Sequence, residues 1–136
     1  MTSTSIQPSS FLRRVLLADA GISAAVGALM AAGAGPLQRL TGLPVTLLIP
    51  AGLALLPYAA YLVWAATRRA LPRFAVWVPI VLNAIWAVDC AIVALGGAYA
   101  PSAQGMAFLA IQAVTVLAVA ELEFIGLRRA QPAIAG

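Results

Sequence analysis

Residues 74–97, FAVWVPIVLNAIWAVDCAIVALGG, decide the fold of this chain. Asp89 is the only charged residue in this segment. About 20 mainly apolar residues allow an α-helix to cross about 30 Å of hydrocarbon. The segment therefore predicts a transmembrane helix.

Three further segments meet the same requirement, at residues 11–33, 44–67 and 104–127. The connections are short and contain glycine and proline, so helices that follow one another in sequence are expected to pack as antiparallel neighbours. The sequence thus predicts an all-α polytopic membrane protein, with an up-down-up-down four-helix transmembrane bundle over residues 11–129. Residues 1–10 and 130–136 are expected to be disordered cytoplasmic tails.

The composition excludes a water-soluble globular domain. The mean hydropathy is +1.01, and charged residues make up 9% of the chain, compared with about 25% in a typical globular protein. The pI of about 10.2 comes from eight arginines, most of which flank the predicted helices. This distribution indicates membrane topology, and we expect membrane lipids and no nucleic acid as partners.

The arginines also predict the orientation in the membrane. Seven of them lie before the first segment, in the second connection or after the fourth segment: Arg13, Arg14, Arg68, Arg69, Arg73, Arg128 and Arg129. The first connection holds only Arg39, and the third holds no charge. Because cytoplasmic loops of membrane proteins are enriched in arginine and lysine, both termini are expected in the cytoplasm.

Polar side chains within the predicted helices are the candidate binding residues. An ionisable group at mid-bilayer costs about 2.5 to 3.5 kcal/mol, so such groups are expected to face protein or water. At about 1.5 Å per residue, most of these side chains fall in a cytoplasmic-half layer and Asp89 falls beside Gln112 in an outer layer. The candidates are Asp19, Tyr58, Tyr61, Asn83, Trp86, Asp89, Gln112 and Glu123.

Helical periodicity predicts which of these side chains face each other. At about 100° per residue, Asn83, Trp86 and Asp89 share one face of the third helix. Gln112 and Glu123 share a face of the fourth helix, and the two faces are expected to look at each other. Two interpretations remain open: interhelical hydrogen bonds that fix helix register, or a hydrated cavity or ligand site in which an acid titrates.

Missing residue types exclude several kinds of site. The chain has no histidine and no lysine, which excludes a His-ligated haem, a His-based metal centre and a lysine Schiff base. Cys90 is the only cysteine, so no internal disulfide or CxxC pair can form. We therefore predict no catalytic residue, no metal and no cofactor.

Several short motifs carry a resemblance to known proteins. They are Asp19 in the first segment, LTGLP at 40–44, Asn83-x-x-Trp86 in the third segment and ELEFIGLRR at 121–129. Together with the hydropathy of residues 11–129, this pattern resembles uncharacterised bacterial four-helix integral membrane proteins and is distantly similar to the DoxX-like class. The resemblance implies a bacterial inner-membrane location. DoxX members are associated with quinone-linked sulfur oxidation, but this chain has no histidine to ligate a cofactor.

Two functions from different classes follow. The first, which we favour, is a non-catalytic accessory subunit or a binder of lipid or another hydrophobic ligand within the bundle. The second is a small proton-coupled transporter in which Asp19, Asp89 or Glu123 alternates between protonated and charged states. Either protein is expected to work as a homo-oligomer or in a larger membrane complex.

Overall fold

The computed structural model describes residues 5–133, and within that range the chain forms five helices and three short strands. They are β1 (Ser5–Gln7), α1 (Ser10–Ala32), α2 (Ala34–Thr41), α3 (Val45–Ala66), β2 (Leu71–Pro72), α4 (Arg73–Leu95), α5 (Ala103–Arg129) and β3 (Gln131–Pro132). The prediction of an all-α fold is confirmed. The long helices α1, α3, α4 and α5 are each long and apolar enough to cross a membrane.

Serine caps fix the beginnings of two of these helices. The Ser9 side chain accepts a hydrogen bond from the backbone N–H of Leu12 at 3.1 Å, where α1 begins. Ser102 accepts one from Gly105 at 3.0 Å, where α5 begins. Such a cap satisfies one of the backbone N–H groups that have no partner inside the helix. The polar caps therefore help to place the ends of the apolar segments.

The first connection differs from the prediction, because it contains the helix α2 where only a loop was expected. Gly35 and Pro36 lie in this connection, whose glycine and proline content indicated a short turn. In the structure Gly33 ends α1, and Pro36 lies in the first turn of α2, where its missing N–H removes no helical hydrogen bond. Gly42, at φ 75°, ends α2 in a left-handed conformation that suits glycine.

A three-stranded sheet joins the two ends of the chain to the α3–α4 connection. β1 pairs antiparallel with β2 on one side and with β3 on the other. The prediction of disordered tails is therefore wrong for residues 5–10 and for Gln131 and Pro132, whereas residues 1–4 and 134–136 lie outside the described residues. Ile6 explains the error, because this single apolar side chain is 1% exposed and packs in a cluster with Leu12, Leu71 and Leu127.

The connections at the other end of the long helices are also joined. The backbone N–H of Ser102 donates to the carbonyl oxygen of Thr41 at 2.8 Å. The Ser102 hydroxyl donates to the carbonyl oxygen of Leu40 at 2.6 Å. The end of α2 is thus held against the beginning of α5.

The long helices pack as two pairs. α1 packs mainly on α3 and α4 packs mainly on α5, while the two pairs meet mostly through α1 and α5. Gly27 and Gly52 allow α1 and α3 to approach closely: a Cβ atom on Gly52 would lie 2.7 Å from the Gly27 carbonyl oxygen. Small residues commonly provide such contacts between helices in lipid. Because α3 and α4 touch little, space remains between the α1–α3 pair and the α4–α5 pair.

Large apolar side chains cover the outside of these helices. Leu53 is 53% exposed, Ile92 61% and Val114 69%, and similar residues occur on α1. Soluble monomers rarely expose contiguous apolar patches of this kind, whereas lipid-facing helices do. In exposed apolar surface and in length, these four helices match helices that cross a membrane.

Candidate functional site

Four of the predicted site residues form one hydrogen-bonded group, here called the carboxyl cluster: Asp19, Tyr58, Asn83 and Glu123. Tyr58 Oη and Asn83 Nδ2 both donate to Oδ2 of Asp19, each at 2.9 Å. Asn83 Nδ2 also donates to Oε1 of Glu123 at 3.0 Å. One amide nitrogen therefore bridges two carboxyl groups, and each long helix contributes one member.

The carboxyl cluster is closed off from the surroundings of the bundle. Asp19 is 2% exposed, Asn83 3% and Glu123 0%. Ser23, one helical turn after Asp19 on the same face of α1, donates to Oδ1 of Asp19 at 3.2 Å. Both oxygens of Asp19 are thus satisfied by hydroxyl or amide donors.

Glu123 is less completely satisfied. Its Oε2 atom is buried and has no hydrogen-bond partner among residues 5–133. Arg128 follows Glu123 by five residues on α5, but its guanidinium lies 5.7 Å from the Phe124 ring centre. An unpaired buried acceptor costs about 1–3 kcal/mol. The cluster therefore holds an acid that the surrounding side chains do not neutralise.

A second polar contact joins α4 to α5. Trp86 Nε1 donates to Oε1 of Gln112 at 3.0 Å. Gln112 was expected to lie at the depth of Asp89, and both residues do line the same cavity. The hydrogen-bond partner of Gln112 is Trp86, however, and Asp89 is an exposed residue on the cavity wall.

Tyr61 lies apart from the carboxyl cluster, although the prediction placed it in the same polar layer. Its hydroxyl donates to the carbonyl oxygen of Ala75 at 2.6 Å, which joins α3 to the first turn of α4. Tyr61 follows Tyr58 by almost one helical turn, so the two side chains leave α3 at different depths. Glu121, two residues before Glu123 on α5, is exposed and takes no part in the cluster.

A cavity of about 450 Å³ lies between the α1–α3 pair and the α4–α5 pair. Tyr58 and Asn83 line it and also belong to the carboxyl cluster, which therefore lies directly beneath the cavity floor. Exposed Ile85 and Ile111 contribute to the wall, so the cavity opens on the side of the bundle. The remaining polar lining residues are Ser23, Trp86, Asp89, Gln112 and Thr115.

Sequence reasoning missed the apolar walls of this cavity. Leu55, Leu82 and Ile85 line the cavity. In the sequence they cannot be distinguished from residues that face lipid, because both groups are equally hydrophobic. Ser23 could be found, because it follows Asp19 by four residues on one helical face. Among residues 5–133 no group of three or more His, Cys, Asp or Glu side chains is arranged to hold a metal ion.

Comparisons with models of protein families, with curated proteins and with solved structures give no match to this chain.

Proposed function

We propose that this chain is a non-catalytic membrane protein that binds a lipid or another hydrophobic molecule in the cavity between its two helix pairs. The observation that carries the proposal is the cavity itself, whose volume of about 450 Å³ falls in the range of about 300–1,000 Å³ typical of ligand sites. Its walls are mainly apolar, and a few polar groups converge at the floor. Ligand sites commonly have this combination, which provides both affinity and orientation.

The side opening suits a ligand that arrives from the bilayer. Ile22, Ile85 and Ile111 are exposed at the cavity wall, where acyl chains would contact them. A hydrophobic molecule can therefore enter without crossing water. The same opening is compatible with an accessory subunit whose partner helix covers it, in a homo-oligomer or in a larger complex.

We place the chain in the bacterial inner membrane as an up-down-up-down bundle with both termini in the cytoplasm. The sheet brings together the chain before α1, the α3–α4 connection and the chain after α5. Seven of the eight arginines lie in these three regions or within five residues of them, in the adjoining helix ends. The location follows the resemblance to bacterial four-helix proteins, and the orientation follows the enrichment of arginine on the cytoplasmic side.

A reporter experiment tests this orientation. A reporter enzyme that is active only outside the cytoplasm is expected to give a signal when inserted at Tyr99, in the α4–α5 connection, and none when fused after Gly136. Fusion in the α3–α4 connection at Arg69 is the matched control and should also be silent. Signals with the opposite pattern would reverse the orientation.

Ligand retention tests the binding site. In native mass spectrometry of the detergent-purified protein, wild type is expected to retain a lipid or small molecule. The variant Ala54→Trp is expected to lose at least about half of the retained fraction, because an indole at a lining position fills the cavity.

The matched control is Ala60→Trp, which adds the same side chain to an exposed position of α3 outside the cavity lining. This variant should retain ligand as wild type does. Equal retention in all three proteins, or none in wild type, would contradict binding in the cavity.

The carboxyl cluster favours a second candidate, a small proton-coupled transporter. Two carboxyl groups that share one amide donor in a low-dielectric interior repel each other when both are charged. In such a transporter this pair would bind and release a proton as a substrate moves. Proton-driven flux in reconstituted vesicles that is lost in Glu123→Gln, with ligand retention intact, would favour the transporter over the binder.

A further inference from the structure

We propose that the cavity selects hydrophobic organic cations over neutral molecules and anions of the same size. This inference rests on the proposed function, since it names the chemical class of the hydrophobic ligand. The charges around the cavity and the aromatic side chains that line it support this preference.

Acidic groups surround the cavity from two directions. Asp89 lies on the wall, and the carboxyl groups of Asp19 and Glu123 lie beneath the floor formed by Asn83 and Tyr58. None of the lining residues is basic. Asp89 has no ion pair or hydrogen bond through its side chain within the described part of the chain. A negative charge without a protein partner attracts a cation strongly where water is scarce.

The positions of the acids fit a single cationic group. Asn83 and Asp89 are six residues apart on α4, which corresponds to about 9 Å along the helix axis. A cation held between the floor and Asp89 therefore has acidic groups on both sides. An anion of the same shape would contact the same apolar walls but would be repelled from both sides.

Two aromatic side chains strengthen the preference for a cation. The Trp86 indole lines the cavity and is fixed by its hydrogen bond to Gln112. The Tyr58 ring lines it as well and is fixed by its hydrogen bond to Asp19. The face of an aromatic ring attracts a cation through its quadrupole, and most strongly where the cation has lost its water.

Two ions of almost identical shape and opposite charge test the proposal. Tetraphenylphosphonium and tetraphenylborate are each dialysed to equilibrium against the full-length protein in uncharged detergent micelles, with protein-free micelles as the blank. Wild type is expected to bind the phosphonium at least about tenfold more tightly than the borate, a difference in affinity that dialysis resolves readily.

Variants locate the binding and its selectivity. Asp89→Asn is expected to reduce the preference for the phosphonium to about threefold or less, because the wall loses its charge while the apolar walls remain. The variant should fold, since Asp89 lies outside the carboxyl cluster. Ala54→Trp should weaken the binding of phosphonium, and the exposed Ala60→Trp should not.

Two outcomes overturn the proposal in distinguishable ways. If the borate binds as tightly as the phosphonium and Ala54→Trp weakens both, the cation preference is wrong and the cavity remains a hydrophobic site. If Ala54→Trp changes the binding of neither ion, and native mass spectrometry also shows no retained ligand, the cation preference and the proposed function both fail.

Discussion

Replacing Asn83 by leucine is expected to lower the free energy of unfolding by about 2–5 kcal/mol, because two buried carboxyl groups then lose their shared donor. Leucine matches asparagine closely in shape, so the loss comes from the missing hydrogen bonds to Asp19 and Glu123. Cys90 offers a direct measurement, since it is the only cysteine and is buried in the fold. A thiol-reactive dye that fluoresces on labelling Cys90 reports unfolding as the detergent-solubilised protein is heated.

Two controls separate this effect from a general loss of polarity. Gln104→Leu removes an exposed amide from α5 and is expected to leave the unfolding temperature within experimental error of wild type. The triple variant Asp19→Leu, Asn83→Leu, Glu123→Leu is expected to recover part of the lost stability, because no buried carboxyl group is then left without a donor, although the Tyr58 and Ser23 hydroxyls lose Asp19 as their acceptor. An Asn83→Leu protein that unfolds at the wild-type temperature would contradict a structural role for the carboxyl cluster.

Adding one methyl group at Gly52 is expected to destabilise the bundle by about 1–3 kcal/mol. The new Cβ atom would lie 2.7 Å from the Gly27 carbonyl oxygen and 2.8 Å from the Ala31 backbone nitrogen. Both are backbone atoms, so α1 and α3 must move apart to make room. Because these two helices form the main contact of their pair, the displacement weakens packing along much of their length.

Gly21→Ala provides the matched control for this substitution. A Cβ atom on Gly21 meets no heavy atom within 4 Å, and the residue is exposed on α1. Both variants gain the same helix propensity from alanine, about 0.8–1.0 kcal/mol, so the difference between them isolates the helix contact. Thermal unfolding followed by Cys90 labelling measures both. Equal unfolding temperatures for Gly52→Ala and Gly21→Ala would show that α1 and α3 do not approach closely here.

The length and hydropathy of the chain were sufficient to predict the long helices. Each of them begins and ends within two residues of the predicted segment, because polar caps and turn residues interrupt the apolar runs. α2 and the sheet were not predicted, since they depend on contacts between connections that are distant in sequence. Ile6 shows what a search for apolar segments does not detect. This apolar residue lies in a polar tail, and it is ordered because its side chain packs in a cluster with Leu71 and Leu127.

Helical periodicity was sufficient to predict part of the candidate site. Counting 100° per residue placed Asn83 opposite Glu123, and the structure joins these two side chains. Hydrogen-bond partners that depend on how the helices tilt and rotate against each other could not be predicted. Tyr61 is an example, because its hydroxyl donates to a backbone carbonyl outside the carboxyl cluster. A cavity between the helices was one of the two interpretations left open, but its position and walls could not be predicted, because they reflect the weak contact between α3 and α4 and not the character of any one helix.

The order of the strands has a consequence for how the protein is made. β1 is the middle strand of the sheet and is the first of the three to be synthesised. Its partner β2 follows only after α3, and its partner β3 follows only after α5. The sheet is therefore completed last, when all four long helices already exist. A nascent chain that stops before Gln131 leaves one edge of β1 unpaired at the ribosome.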